Sequence, residues 1–228
     1  MPGPLILAGG AEFDERMAAA DRAFLEATGR TKPRLAVLPT ANDGRPALAA
    51  ANGVAHFRSL GVDAEAVMVT TRESANDERL VAALSEVDAI YFAGGNPRYL
   101  YSVLEGSQAW QTIQQRWREG MALGGSSAGA MVLCAAIYVQ GSWGGALGLV
   151  ADAVALPHFD RRDAASVRQA QQAVSARGHL GLGIDESTAL VWSADVWQVA
   201  GRGRVQVLAA DGVEVYASAA SVPIAPPG

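Results

Sequence analysis

Short apolar runs alternate along this chain with longer segments whose apolar residues recur every three or four positions. Leu5 to Ala8 is an unbroken apolar run stopped by Gly9-Gly10, and Phe13, Met17, Ala20 and Phe24 then recur at helical spacing up to Gly29. The alternation repeats. Arg34 to Pro39 reads as a second strand, Thr40 to Gly44 as a turn, and the alanine-rich segment from Pro46 to Leu60 as a helix closed by Gly61. Ala64 to Val69 is a third strand, a helix capped by Asn76 or Asp77 runs to Leu84, and Val87 to Ala93 is a fourth strand ending in Gly94-Gly95-Asn96. Pro97 to Leu104 and Gln108 to Trp117 have helical periodicity and lead to a fifth strand beginning at Met121.

Strands with so little polar alternation are buried on both faces, and strands separated by helices imply crossovers in a parallel sheet. The expected fold class is therefore α/β, an open, mostly parallel sheet flanked by helices. In such sheets ligands bind beyond the carboxyl ends of the strands, so the Gly94-Gly95 turn and the turn after the fifth strand face one cleft. The second half changes character. Gly141 to Gly145 reads as a flexible loop, and Leu147 to Leu156 leads to Pro157-His158-Phe159, followed by a polar helix from Asp163 to Ala176. Thr188 to Trp192, Val196 to Ala200, Val205 to Ala209 and Val213 to Tyr216 are short strands, expected to extend the sheet antiparallel at the C-terminus. Pro223 to Gly228 is expected to be a loose end. No repeat and no break in composition divides residues 1–228, which read as a single domain.

Composition narrows the partners. Half of the 228 residues are apolar and the net charge is −5, with no cluster of Lys and Arg to neutralise phosphates, so nucleic acid is excluded as an expected partner. Met1 to Gly10 has no basic leading region and only four apolar residues before its glycines, which suits neither a signal peptide nor a membrane anchor. Cys134 is the single cysteine and has no internal partner; it reads as a buried thiol of a reduced, cytoplasmic protein.

The chemistry centres on Gly125-Ser126-Ser127-Ala128-Gly129, a G-x-S-x-G turn between a strand and a helix. Such a turn strains and exposes its central serine while the flanking glycines let backbones pass closely; the plain alternative is a Gly/Ser-rich turn without chemistry. Ser127 needs a base. Of three histidines, His56 falls in the middle of a proposed surface helix, His179 follows Gly178 in a turn, and His158 follows a strand end where a scaffold delivers a side chain to the cleft. For the acid that orients the base, Asp160 is too near in sequence and Asp152 lies in an apolar run, leaving Asp185-Glu186 after Gly181 to Ile184.

Taken together, Gly125 to Ala130, Pro157-His158-Phe159, Gly94-Gly95-Asn96 and Gly181-Leu-Gly-Ile-Asp-Glu-Ser-Thr-Ala189 resemble the serine peptidase family of cyanophycinase and aspartyl dipeptidase (dipeptidase E). The resemblance implies a flavodoxin-like fold similar to class I glutamine amidotransferases. It implies Ser127 as nucleophile, His158 as base, Glu186 as acid, with backbone N–H groups of Gly95 and Ala128 as the oxyanion hole and no metal or other cofactor. It also implies a small peptide substrate and a homodimer. Asn96 after the glycine pair is closer to the dipeptidase pattern, and Arg161 or Arg162 can grip a substrate carboxylate with two parallel hydrogen bonds; Arg98 is a weaker version of the same idea. The expected function is hydrolysis of a peptide or isopeptide bond in a small, aspartyl-containing substrate. The alternatives are cyanophycinase-like hydrolysis of β-Asp-Arg polymer or dipeptides and, outside enzymes, a noncatalytic binding protein on the same fold.

Overall fold

On the first strand, β1 (Leu5–Ala8), Leu5 and Leu7 face one apolar cluster while Ile6 and Ala8 face another. The strands β2 (Arg34–Leu38) and β4 (Ala89–Phe92) divide in the same way: Ala36, Leu38, Ile90 and Phe92 on one side, Leu35, Val37, Ala89 and Tyr91 on the other. Side chains alternate across a pleated strand, so two clusters mean a sheet covered on both faces. In the computed structural model, which describes residues 1–228, β3 (Asp63–Ala66) and β5 (Ala122–Ser126) complete five parallel strands in the order β3-β2-β4-β5-β1. Helices α1 (Ala18–Ala27) and α2 (Pro46–Ser59) bury Phe24 and Phe57 on the Ile6 side. Helices α3 (Glu78–Ser85), α4 (Pro97–Leu104), α5 (Gln108–Arg118) and α6 (Ala128–Leu133) cover the other side with Leu84, Leu100, Trp117 and Val132. Of the two candidate caps for α3, Asp77 takes the role, accepting the N–H groups of Arg79 and Leu80 at 2.9 and 3.2 Å.

The second half departs from the simple expectation. β10 (Thr188–Ser193) and β11 (Val196–Gly201) extend the main sheet antiparallel beyond β1, and β14 (Ser221–Val222) closes that edge. The next two strands do not extend it. β12 (Val205–Ala209) and β13 (Gly212–Tyr216) join β8 (Ala153–Leu156) and β9 (Leu180–Ile184) in a separate sheet ordered β13-β12-β9-β8. Pairing β9 with β8 leaves one edge of β9 open, and β12 satisfies it, Val205 opposite Ile184. Helix α7 (Ala164–Ser175) links β8 to β9 and buries Ala170 and Val174 against Leu156 and Leu208.

Two segments expected to be loose are held. Gly141 turns a hairpin of β6 (Ile137–Val139) and β7 (Ser142–Gly144), across which the Tyr138 and Trp143 rings lie 4.8 Å apart. The tail is tied down by Trp197 Nε1, which donates to the Ala225 carbonyl at 3.0 Å, and by the Gly228 N–H, which donates to the Leu149 carbonyl at 2.9 Å. Cys134 is fully buried just past α6, and that burial pushes its thiol up to about 12. No helix is long and apolar enough to cross a membrane.

His56 is not on the surface. It lies on the inner side of α2, 8% exposed, with Nε2 2.7 Å from Asp21 Oδ2 on α1. Burial pushes the Asp21 carboxyl upward, and the hydrogen bond to His56 pulls it back. This pair joins the two helices on one face. Removing one member strands the other without a partner, so Asp21→Ala should cost about 3 kcal/mol, read as a lower urea midpoint at unchanged slope. An unchanged midpoint would show that the pair contributes nothing.

Candidate active site

β8 and β9 run parallel with Leu156 opposite Gly183, which sets their carboxyl ends side by side. Pro157 carries the chain off β8, and His158 follows in the left-handed region at φ 52°, ψ 40°, its N–H donating to the Gly9 carbonyl at 2.7 Å. Two residues beyond Ile184, Glu186 places Oε1 2.6 Å from His158 Nδ1. The other ring nitrogen, Nε2, is 3.0 Å from Ser127 Oγ. A carboxylate only accepts, so Nδ1 carries the proton and the Nε2 lone pair is left for the serine hydroxyl.

Ser127 sits between β5 and α6 at φ 50°, ψ −103°, a strained conformation for a residue with a side chain. Its N–H donates to the Ala8 carbonyl on neighbouring β1 at 2.9 Å, which fixes the turn to the sheet. The Ala128 N–H, at the first position of α6, and the Gly95 N–H, beyond β4, donate to no acceptor of the protein. Gly95 has φ +146°, and a Cβ there would run into the Ala41 backbone, so only glycine presents its N–H in this way.

These groups open onto a cavity of about 440 Å³ lined by Gly95, Ser127, His158, Arg162, Tyr138 and Gln140. That is the size range of small-ligand sites. Arg162 is half-buried beside the Phe159 ring, 6.0 Å from its centroid, and its Nε has no partner. Burial lowers its pKa from the ordinary guanidinium value, and it forms no ion pair with any carboxylate of the chain. Nowhere do three or more His, Cys, Asp or Glu side chains converge as a metal-ligand set.

The remaining candidates are employed elsewhere. Arg161 donates to Glu186 Oε2 at 2.6 Å and so braces the carboxylate that faces His158. Asn96 caps α4, its Oδ1 accepting the N–H groups of Arg98 and Tyr99 at 3.1 and 3.2 Å. Arg98 donates to the Trp143 carbonyl at 3.0 Å and to Ser142 Oγ at 2.9 Å, pinning the hairpin over the cavity. Asp185 turns away from His158 and accepts the Arg204 N–H at 2.9 Å, while Asp160 accepts the Glu186 N–H at 2.9 Å.

The sequence pattern of Peptidase family S51 matches residues 5–199. The chain belongs to this family. It is accordingly a serine peptidase. It is 28% identical over 219 residues to a cyanophycinase from Nostoc sp., covering 90% of this chain and 72% of that protein. A cyanophycinase from Synechococcus elongatus is 30% identical over 223 residues, covering 90% and 68%. Among solved structures, a peptidase from an acI-B1 Actinobacterium superposes with a TM-score of 0.86 over 97% of both chains at 27% identity. A peptidase E protein from Listeria monocytogenes shares the fold at a TM-score of 0.57 and 17% identity, over 96% of this chain and all of its own.

Residues at the end of β1 carry roles in this S51 peptidase that the sequence pattern did not mark. Gly10, at φ +132°, lies flat against the His158 ring, and a Cβ there would collide with the imidazole. Gly10→Ala should therefore displace His158 and slow reaction with a fluorophosphonate by about 100-fold with the circular dichroism spectrum retained. A wild-type labelling rate would show that the ring does not depend on Gly10.

Proposed function

We propose that Ser127 is the nucleophile of an acyl-transfer mechanism and that the substrate is a small peptide with an acidic residue at the scissile bond. The reading is carried by the hydrogen-bonded chain from Ser127 through His158 to Glu186 at the wall of the cavity. His158 Nε2 takes the hydroxyl proton as Ser127 Oγ attacks the carbonyl carbon, and Glu186 supports the imidazolium that forms. Negative charge develops on the carbonyl oxygen. The free N–H groups of Gly95 and Ala128 receive it, each such donor contributing about 3 kcal/mol to the lowering of the barrier. His158 then gives its proton to the leaving amine, and water activated by the same ring releases the acyl group from Ser127.

Arg162 supports the substrate side of the reading. A half-buried guanidinium without an anionic partner is completed by a carboxylate, whether of an aspartyl side chain or of a free terminus. Arg161 is already bound to Glu186 and acts on the substrate only through it. A second reading, hydrolysis of β-Asp-Arg units, is favoured by the two cyanophycinases among the relatives. The two free carboxylates of a β-Asp-Arg dipeptide would pair with Arg162, whereas an arginine side chain placed beside Arg162 would be repelled.

A panel of α- and β-aspartyl dipeptides with free and blocked termini, including β-Asp-Arg, separates these readings. We expect turnover of aspartyl dipeptides that falls by roughly 10⁴-fold or more in Ser127→Ala. No turnover of any member by folded protein, or activity retained in Ser127→Ala, would overturn the proposal. Arg162→Ala should raise KM for the preferred dipeptide by about 10- to 100-fold, the worth of one charged hydrogen-bonding partner. An unchanged KM would remove Arg162 from substrate recognition.

A further inference from the structure

Glu12 belongs to none of the groups described so far, yet it touches both turns that flank the proposed oxyanion site. Its Oε1 accepts the Gly94 N–H at 3.0 Å, one residue before Gly95, and its Oε2 accepts the Ser126 hydroxyl at 3.0 Å, one residue before Ser127. These partners lie 82 and 114 residues away in sequence. The carboxylate bonds to no Arg, Lys or His, so it is not there to neutralise a cation. The loop is bent to deliver it. Ala11 and Phe13, on either side, have φ 57° and 63°, a costly conformation for residues with a Cβ. Gly94 in turn leaves room for it, since a Cβ at that position would meet Glu12 Oε1.

We propose that Glu12 is a positioning residue that holds the β4 and β5 turns at a fixed separation, so that the Gly95 and Ala128 N–H groups converge on one oxygen. The inference rests on the role given above to Ser127, Gly95 and Ala128. Holding the Gly94 N–H fixes the Ala93–Gly94 peptide at the end of β4, one residue before the peptide that carries the Gly95 N–H, and fixing the Ser126 side chain anchors the strand end from which Ser127 and Ala128 project. A negative charge beside a developing oxyanion is unfavourable in itself, so its value here lies in strong hydrogen bonds to two donors. Glutamine preserves both bridges: its oxygen accepts from Gly94 while its amide donates to Ser126 Oγ, whose hydroxyl also accepts.

The test is the reaction with a fluorophosphonate, whose phosphoryl oxygen occupies the oxyanion position, resolved into maximal inactivation rate and apparent affinity. Glu12→Ala should lower the maximal rate by about 100-fold at nearly unchanged affinity, with Glu12→Gln within about fivefold of wild type. Ser126→Ala removes one bridge and should slow the rate by about tenfold, and the double variant should be no slower than Glu12→Ala alone. A wild-type maximal rate in Glu12→Ala, or a Glu12→Gln as slow as the alanine variant, would overturn the inference. If Glu12→Ala does not fold, Ser126→Ala decides, and a wild-type rate there overturns it. Ser127→Ala separates the two levels: labelling that survives it sinks the active-site reading, whereas labelling lost there but unaffected by Glu12 changes sinks this inference alone.

Discussion

Ala8, Gly9 and Gly10 accept hydrogen bonds from three turns that the chain brings together from far apart. The Ser127 N–H donates to the Ala8 carbonyl at 2.9 Å, the His158 N–H to Gly9 at 2.7 Å and the Ser187 N–H to Gly10 at 3.3 Å. Backbone groups in a buried region must be paired, so the carboxyl end of β1 fixes where each turn stops. That anchoring lets a serine from the main sheet meet a histidine and a glutamate from the second one. β9 ends in the second sheet and β10 begins in the first, which makes Glu186-Ser187 the crossing between them. The site is the seam of the two sheets.

Holding this seam costs conformational energy. Of the nine non-glycine residues with positive φ, six are Ala11, Phe13, Ser127, Gln140, His158 and Ser187, all in or next to the site. Each such residue costs on the order of 1 kcal/mol or more, and the strain persists only because the surrounding packing allows no other arrangement. Leu5 to Ala8 on β1 and Ala128 to Leu133 in α6 are buried throughout, so neither side of the serine turn can relax. The result is a Ser127 hydroxyl and two free N–H groups held in fixed positions.

Much of this was legible in the sequence because it depended on local pattern. Buried strands appear as apolar runs, helices as three- and four-residue spacing, and the serine turn as G-x-S-x-G. Ser127, His158 and the pair Asp185-Glu186 each follow a strand end, which is why reading the strands made them candidates, and the choice of Glu186 within the pair came from the family resemblance. Partnerships were less legible. Whether Asp185 or Glu186 faces His158 depends on the direction of a turn between two sheets, and the departure of β12 and β13 depends on which edge of β9 is free. His56 looked exposed because it sits mid-way along an alanine-rich helix without a clear apolar stripe, and only the approach of Asp21 on α1 shows otherwise. Glu12 was missed although a signal existed: Gly9-Gly10-Ala11-Glu12 puts an acid two residues past a glycine pair at a strand end, yet its hydrogen bonds reach across more than a third of the chain.

On the proposed mechanism, the geometry at the seam makes Ser127, and not its neighbour Ser126, the reactive hydroxyl. Ser126 is fully buried with its hydroxyl given to Glu12, whereas Ser127 faces the cavity and His158. The most direct measurement is peptide mapping by mass spectrometry after the folded enzyme has reacted to completion with a fluorophosphonate. One adduct per chain is expected, on Ser127, and none when His158 is replaced by alanine over the same interval. An adduct on Ser126, or on any residue other than Ser127, would contradict it.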